Sequence, residues 1–142
     1  MEESAGIPTK TIIGRDVAEE MLKVIYDDLG LDSALIEEDD EGQASTKKII
    51  SALMRGQLEY REEVFTQKLL KPIVGKKEIL YLEIKEPTGV QLRGMSEVKK
   101  KNDDVGKAMS ILGEVTGLGL PIINKLGSRD LMLSVGVISL FL

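Results

Sequence analysis

An α+β fold, with a small antiparallel β-hairpin or meander set between helical ends, is predicted by three observations on this 142-residue chain. Apolar residues recur at helical spacing over the first third, the period shortens to two between Gln57 and Lys85, and helical spacing then returns up to Leu142. Gly30, Gly56 and Gly117 stand where periodic runs end, as helix stops do.

The first helix is expected to open at Asp16, because Asp16 and Glu19 have the spacing of an N-cap and an acidic N3 residue. Val17, Met21, Val24, Ile25 and Leu29 then follow at helical intervals and are expected to face inward. Leu31 to Gln43, with the acidic cluster Glu37 to Glu41, reads as a loop or linker. A second helix is expected from Ser45 or Thr46 to Arg55, with Ile49, Ile50 and Leu53 inward. Leu58 and Tyr60 alternate with polar residues, Val64 to Ile73 is rich in β-formers, and Glu78 to Lys85 places Leu80, Leu82 and Ile84 on one face. Val74 to Lys77 is short enough for a hairpin turn, and Pro72 argues for an edge strand.

Beyond Pro87, Thr88 and Gln91 have capping-box spacing and open a further helix. The basic run Lys99-Lys100-Lys101 and the polar break Asn102-Asp103-Asp104 precede another, with Val105, Met109, Leu112 and Val115 as its stripe. Pro121 suits a short turn through Leu126, and Ser128 is placed to cap the last helix. The order is α-α-β-β-α-α-α, divided as an acidic helical extension over 1–60 and an α+β domain over 61–142.

Composition removes much chemistry. With no cysteine and no histidine, the chain has no thiol nucleophile, disulfide, imidazole base or His- or Cys-ligated zinc. The N-terminus has neither the basic start nor the apolar stretch of a secretory signal, which points to the cytoplasm. Residues 1–42 carry net charge −10 and residues 43–142 carry +5, so the chain is a dipole with an acidic arm.

Phosphate, nucleotide and metal motifs fail on inspection. Setting Gly42 at position 6 of a calcium loop puts Lys48 where a bidentate glutamate is needed. Gly106-Lys107 has Lys101 in place of the required upstream glycine and is followed by Ala108. Gly117-Leu118-Gly119 has Ile122 where a dinucleotide fingerprint needs its third glycine. Three lysines without aromatics in an acidic protein do not make a nucleic-acid footprint. Arg129 and Asp130 allow a catalytic acid with a guanidinium clamp, but Asp in a first helical turn is also what the helix dipole favours. Carboxylates holding Mg²⁺ are the remaining enzymatic reading, and no cofactor is expected.

The segment Leu131 to Leu142 is the most apolar of the chain. At ~1.5 Å per residue it reaches about 18 Å as a helix, too short for a ~30 Å hydrocarbon layer, so no membrane span is expected. Leu131, Val135, Ile138 and Leu142 share one stripe, and Leu133, Val137, Leu140 and Phe141 fall largely off it. Burying one face leaves the other for a partner or an oligomer, unless the whole helix sinks into its own core. Ile138→Asp is expected to raise solubility and weaken partner binding, and a sharp fall in solubility instead would place the helix in the protein's own core.

The order of Leu69-Leu70-Lys71-Pro72, Gly75-Lys76-Lys77-Glu78-Ile79, Leu82 to Thr88, Thr116-Gly117-Leu118, Arg129-Asp130 and Phe141-Leu142 resembles the tail assembly chaperones of Mu-like and related contractile-tailed phages and prophages. The resemblance covers about residues 64–142. The chain differs in having Lys85 where arginine is usual, an inserted Gly119-Leu120, and some 60 N-terminal residues outside the pattern. The resemblance implies a non-catalytic protein of the host cytoplasm that binds the tape-measure protein and other tail proteins, assists tail-tube assembly and is absent from the virion. On that reading Leu131, Val135, Ile138, Phe141 and Leu142 are the partner-binding residues. The alternative is a structural or adaptor subunit that stays in the particle and oligomerises through the same helix. Neither reading calls for nucleic acid or a membrane.

Overall fold

The computed structural model describes residues 12–32, 40–93 and 104–142, with the side chains of 40–44 and 104 outside that description. The expectations for Glu37 to Asp39 and for Lys99 to Asp103 therefore lie outside the described residues. Helix α1 (Arg15–Leu29) starts after Gly14, with Asp16 in its first turn rather than at its cap. It stops at Gly30, which takes φ 73°. Leu31 N–H donates to Tyr26 O at 2.8 Å, the six-residue bond of a Schellman cap.

Two neighbouring apolar stripes were available on α1. Packing on α2 (Asp40–Met54) buries Ala18, Leu22, Ile25 and Tyr26, and leaves Val17 and Val24, expected inside, 53% and 58% exposed. Helix α2 takes in Asp40 and Glu41 of the acidic cluster that reads as a linker in the sequence. Ile49, Ile50 and Leu53 are buried as their spacing predicts.

The sheet is an antiparallel meander, β1 (Leu58–Arg61), β2 (Val64–Ile73) and β3 (Ile79–Lys85), in the order β1-β2-β3. Glu62 and Glu63 form the two-residue β1–β2 turn with φ 51° and 65°. That geometry matches the strand twist but is left-handed at both positions, where Asn-Gly is the usual choice. Register puts Tyr60, Phe65 and Ile84 in one row and Leu58, Gln67 and Leu82 in the next, all toward the core. Glu59, Thr66 and Glu83 share the opposite, outward face.

Pairing of β2 with β3 breaks after Lys68↔Tyr81 and resumes at Ile73↔Ile79, so four β2 residues face Leu80 alone. This bulge turns Leu80 out to 41% exposure, against the alternation in the sequence. It also explains why Pro72 sits in the central strand and not at the edge. β1 pairs only as far as Gln67, and the bulge takes Pro72 off the β3 ladder, so its missing N–H costs no sheet bond.

Thr88 and Gln91 form both halves of a capping box on α3 (Gly89–Leu92), at 2.9 and 3.3 Å. Gln91 Nε2 also donates to Glu114 O of α4 (Asp104–Thr116) at 3.3 Å. Ala108, Ile111, Leu112 and Val115 are the buried side of α4, and Val105, expected there, is exposed. After Gly117 at φ 75° the chain doubles back, Gly119 N–H reaching Gly113 O at 3.0 Å, into α5 (Leu120–Ile123). A Cβ on Gly113 would meet Leu120 N at 2.8 Å and Gly119 C at 2.9 Å. Gly113→Ala should therefore cost about 1–3 kcal/mol by overpacking against backbone that cannot step aside, measured by urea denaturation.

The last helix, α6 (Ser128–Ser139), has Gly127 at its N-cap, and Ser128 is its first residue. It packs on α2, α4, β2 and β3 at once. Leu22, Ile25, Ile49 and Leu53 join Phe65, Leu82, Leu112 and Val137 in one hydrophobic core, so residues from both sides of position 60 share it.

Candidate functional site

Helix α6 is held from both ends. At its start Asp130, 1% exposed, turns its carboxylate toward the β2 bulge. Oδ1 accepts from Leu70 N–H at 2.9 Å and Oδ2 from Lys71 N–H at 3.0 Å, two donors that the broken β2–β3 ladder releases. One turn on, Ser134 Oγ lies 2.7 Å from Gln67 Oε1 and 2.9 Å from Asp130 O, and Gln67 Nε2 donates to Asp130 O at 2.9 Å. Gln67 and Ser134 are wholly buried. The arrangement is a polar clamp between strand and helix, in which each buried group finds a partner. Asp130 is thus a backbone acceptor in this fold, and Arg129 stands exposed beside it.

At the other end, the Phe141 ring meets Phe65 edge-on, with centroids 5.8 Å apart, and Phe65 packs against Tyr60 at 4.9 Å. Leu140, Phe141 and Leu142 continue α6 as a tight turn bonded to Val137, Ile138 and Ser139. Between these anchors the helix has two sides. Leu133, Gly136, Val137 and Ile138 are buried, and Gly136 lets α2 approach until Ser45 lies in van der Waals contact with the place of a Cβ.

Of the residues expected to meet a partner, Ile138 is a core residue with 0% exposure. Leu131 and Val135 are half-buried, Phe141 is half-buried against the sheet, and Leu142 is 57% exposed. Leu131 and Val135 lie along one side of α6 with exposed Met132 at its margin, and Leu142 stands in the turn beyond the helix. Ile138, which shares their stripe in the sequence, is taken into the core. The sequence pattern carried no signal for Met132, because its exposure depends on which side α2 and α4 cover.

Beside the chain's last turn, Tyr60 Oη donates to Asp28 Oδ2 at 3.0 Å. Partial burial, the bond to Asp28 and the nearby Asp28 and Glu63 charges push the Tyr60 phenol up to about 12. Its neutral form is favoured by folding, so the stability it lends is complete below pH ~10 and is lost as pH rises toward 12. Asp28→Asn should bring the Tyr60 titration, read by ultraviolet absorbance, back toward 10.

Among the described residues no group of three acidic side chains is placed to hold a metal ion, and no helix is long and apolar enough to cross a membrane. Fold and site define a small α+β protein whose last helix is core on one side and mixed on the other, with Met132 exposed beside Ser128, Arg129 and Ser139. The family described as phage tail assembly chaperone proteins, E, or 41 or 14, matches residues 66–142, more than half of the chain, and the chain belongs to this family. The match begins inside β2 and takes in the clamp and all of α6. No curated protein and no solved structure matches the chain.

Proposed function

We propose that this chain is a non-enzymatic tail assembly chaperone that binds the tape-measure protein in the host cytoplasm, assists tail-tube assembly and leaves before the virion is complete. The observation that supports this most is the group of part-exposed apolar side chains Leu131, Met132 and Val135 on a helix clamped to its own core, followed by exposed Leu142 in the turn beyond it. Helix-in-groove recognition needs such anchors presented at fixed spacing, and a rigid support lowers the cost of ordering them. In this reading the fold over 61–142 carries the activity and residues 1–60 add a helical layer over α6.

The test is coexpression of the full chain with the tape-measure gene product of the same phage or prophage. Copurification, with the tape-measure protein soluble only when this chain is present, is expected. An insoluble tape-measure protein with nothing copurifying would sink the proposal. Mass spectrometry of purified particles separates it from a retained, self-associating subunit, which would be abundant there.

A further inference from the structure

A second surface adjoins the last turn of the chain. A cavity of about 190 Å³ opens between the C-terminal end of α1, the β1–β2 turn and residues 140–142. Leu29, Leu31, Leu140, Phe141 and Leu142 make its apolar side, and Asp28, Glu63 and Glu86 make its rim. The three carboxylates come from three separate elements: the last turn of α1, the left-handed turn after β1 and the residue after β3.

Among the described residues no lysine or arginine lines the cavity. Arg61 and Lys85, the nearest bases in sequence, pair with Val64 on the outward face of the sheet, opposite to Tyr60 and Phe65. The ion pairs of α1, Arg15–Glu19 and Lys23–Glu20, lie toward its other end. Asp28 is bonded to the Tyr60 hydroxyl, a neutral partner. The three acids are not placed to share a metal ion.

We propose that this acid-rimmed pocket receives a lysine or arginine side chain, flanked by apolar residues, from an amphipathic segment of a partner protein. Apolar flanks would lie on Leu140 and Leu142 while the cation sits between Asp28, Glu63 and Glu86. The proposal rests on the partner-binding reading above and adds the sign of the charge that the partner must carry. Charges at a rim set which partner is accepted and how fast it arrives more than they set total affinity.

Two synthetic amphipathic peptides with the same leucine pattern test it, one with lysines flanking the apolar stripe and one with glutamates. Binding to the full chain is read by fluorescence anisotropy at low and high salt. The lysine peptide should bind at least about tenfold more tightly at low salt, and lose that advantage at high salt. The double variant Glu63→Lys with Glu86→Lys, exposed positions whose folding is checked by circular dichroism, should abolish or reverse the preference. Equal binding of both peptides, or a preference that survives the double variant, overturns the proposal. So does light scattering that finds a wild-type dimer broken by the double variant, which would give the pocket to a second copy of this chain. Coexpression separates the two readings. If the double variant still solubilises the tape-measure protein and the peptides are not discriminated, only the pocket fails. If the peptides are discriminated but the wild type captures no tape-measure protein, the chaperone reading fails and the pocket stands.

Discussion

Ile138→Asp is expected to unfold much of the population and to lower soluble yield, the reverse of what the helical stripe in the sequence suggests. Ile138 has no solvent exposure and belongs to the core shared by the sheet and α6. Loss of a buried isoleucine costs about 2–5 kcal/mol through transfer and cavity terms, and an unpaired buried carboxylate adds to that or forces its own protonation. Against a total stability of roughly 5–15 kcal/mol this is a large share. Urea denaturation should show the midpoint fall far below wild type, together with a lower soluble fraction. Leu142→Asp is the informative contrast. At 57% exposure it should change stability by only about 0.5 kcal/mol, so a loss of partner binding there reports the surface and not the fold.

Asp130→Ala should be nearly as severe. The substitution deletes both acceptors of Leu70 and Lys71 N–H in a part-buried bulge that has no β3 partner to replace them. Each hydrogen bond to a charged acceptor contributes about 1.5–3 kcal/mol, and a donor stranded away from water carries its own penalty. A loss of about 3–5 kcal/mol is expected in denaturant titration, with amide exchange at Leu70 and Lys71 accelerated beyond the rest of β2. If exchange at these two amides stays at the wild-type rate, the clamp does not hold the bulge.

Both predictions turn on features that were half visible in the chain. The helix stops at Gly30, Gly56 and Gly117 were legible because φ near +70° is a local demand that glycine meets best. The Thr88–Gln91 box was legible for the same kind of reason, two side chains satisfying backbone groups three residues away. The β-forming composition of Val64 to Ile73 placed β2 correctly, yet gave no sign that Gln67 would be buried against Asp130 and Ser134, which are more than 60 residues away. The bulge was hidden too. Pro72 argued for an edge strand, and only the pairing with β3 showed that it sits in the central strand, within the bulge.

Helix faces were the least legible. Val17 and Val24 fit a stripe as well as Ala18 and Leu22 do, and Ile138 fits one as well as Val135 does. Periodicity fixes which residues share a side of a helix but not which side the next element covers. The acidic rim at Asp28, Glu63 and Glu86 lay beyond sequence reasoning for the same cause, since three elements must meet before the charges do.

For this protein the sequence by itself determined the α+β class, the helix stops, the strand period, the absence of thiol and imidazole chemistry, and the ordered motifs that resemble phage tail assembly chaperones. Those are properties of single residues or near neighbours, set by backbone conformation, hydrogen-bond reach and composition. The tertiary structure alone decided that Asp130 is a clamp, that Ile138 is core, that Leu131 and Val135 are half-buried while Leu142 is exposed, and that an acid-rimmed pocket adjoins Leu142. Burial and charge clustering depend on distant elements converging, and no local pattern records where they meet.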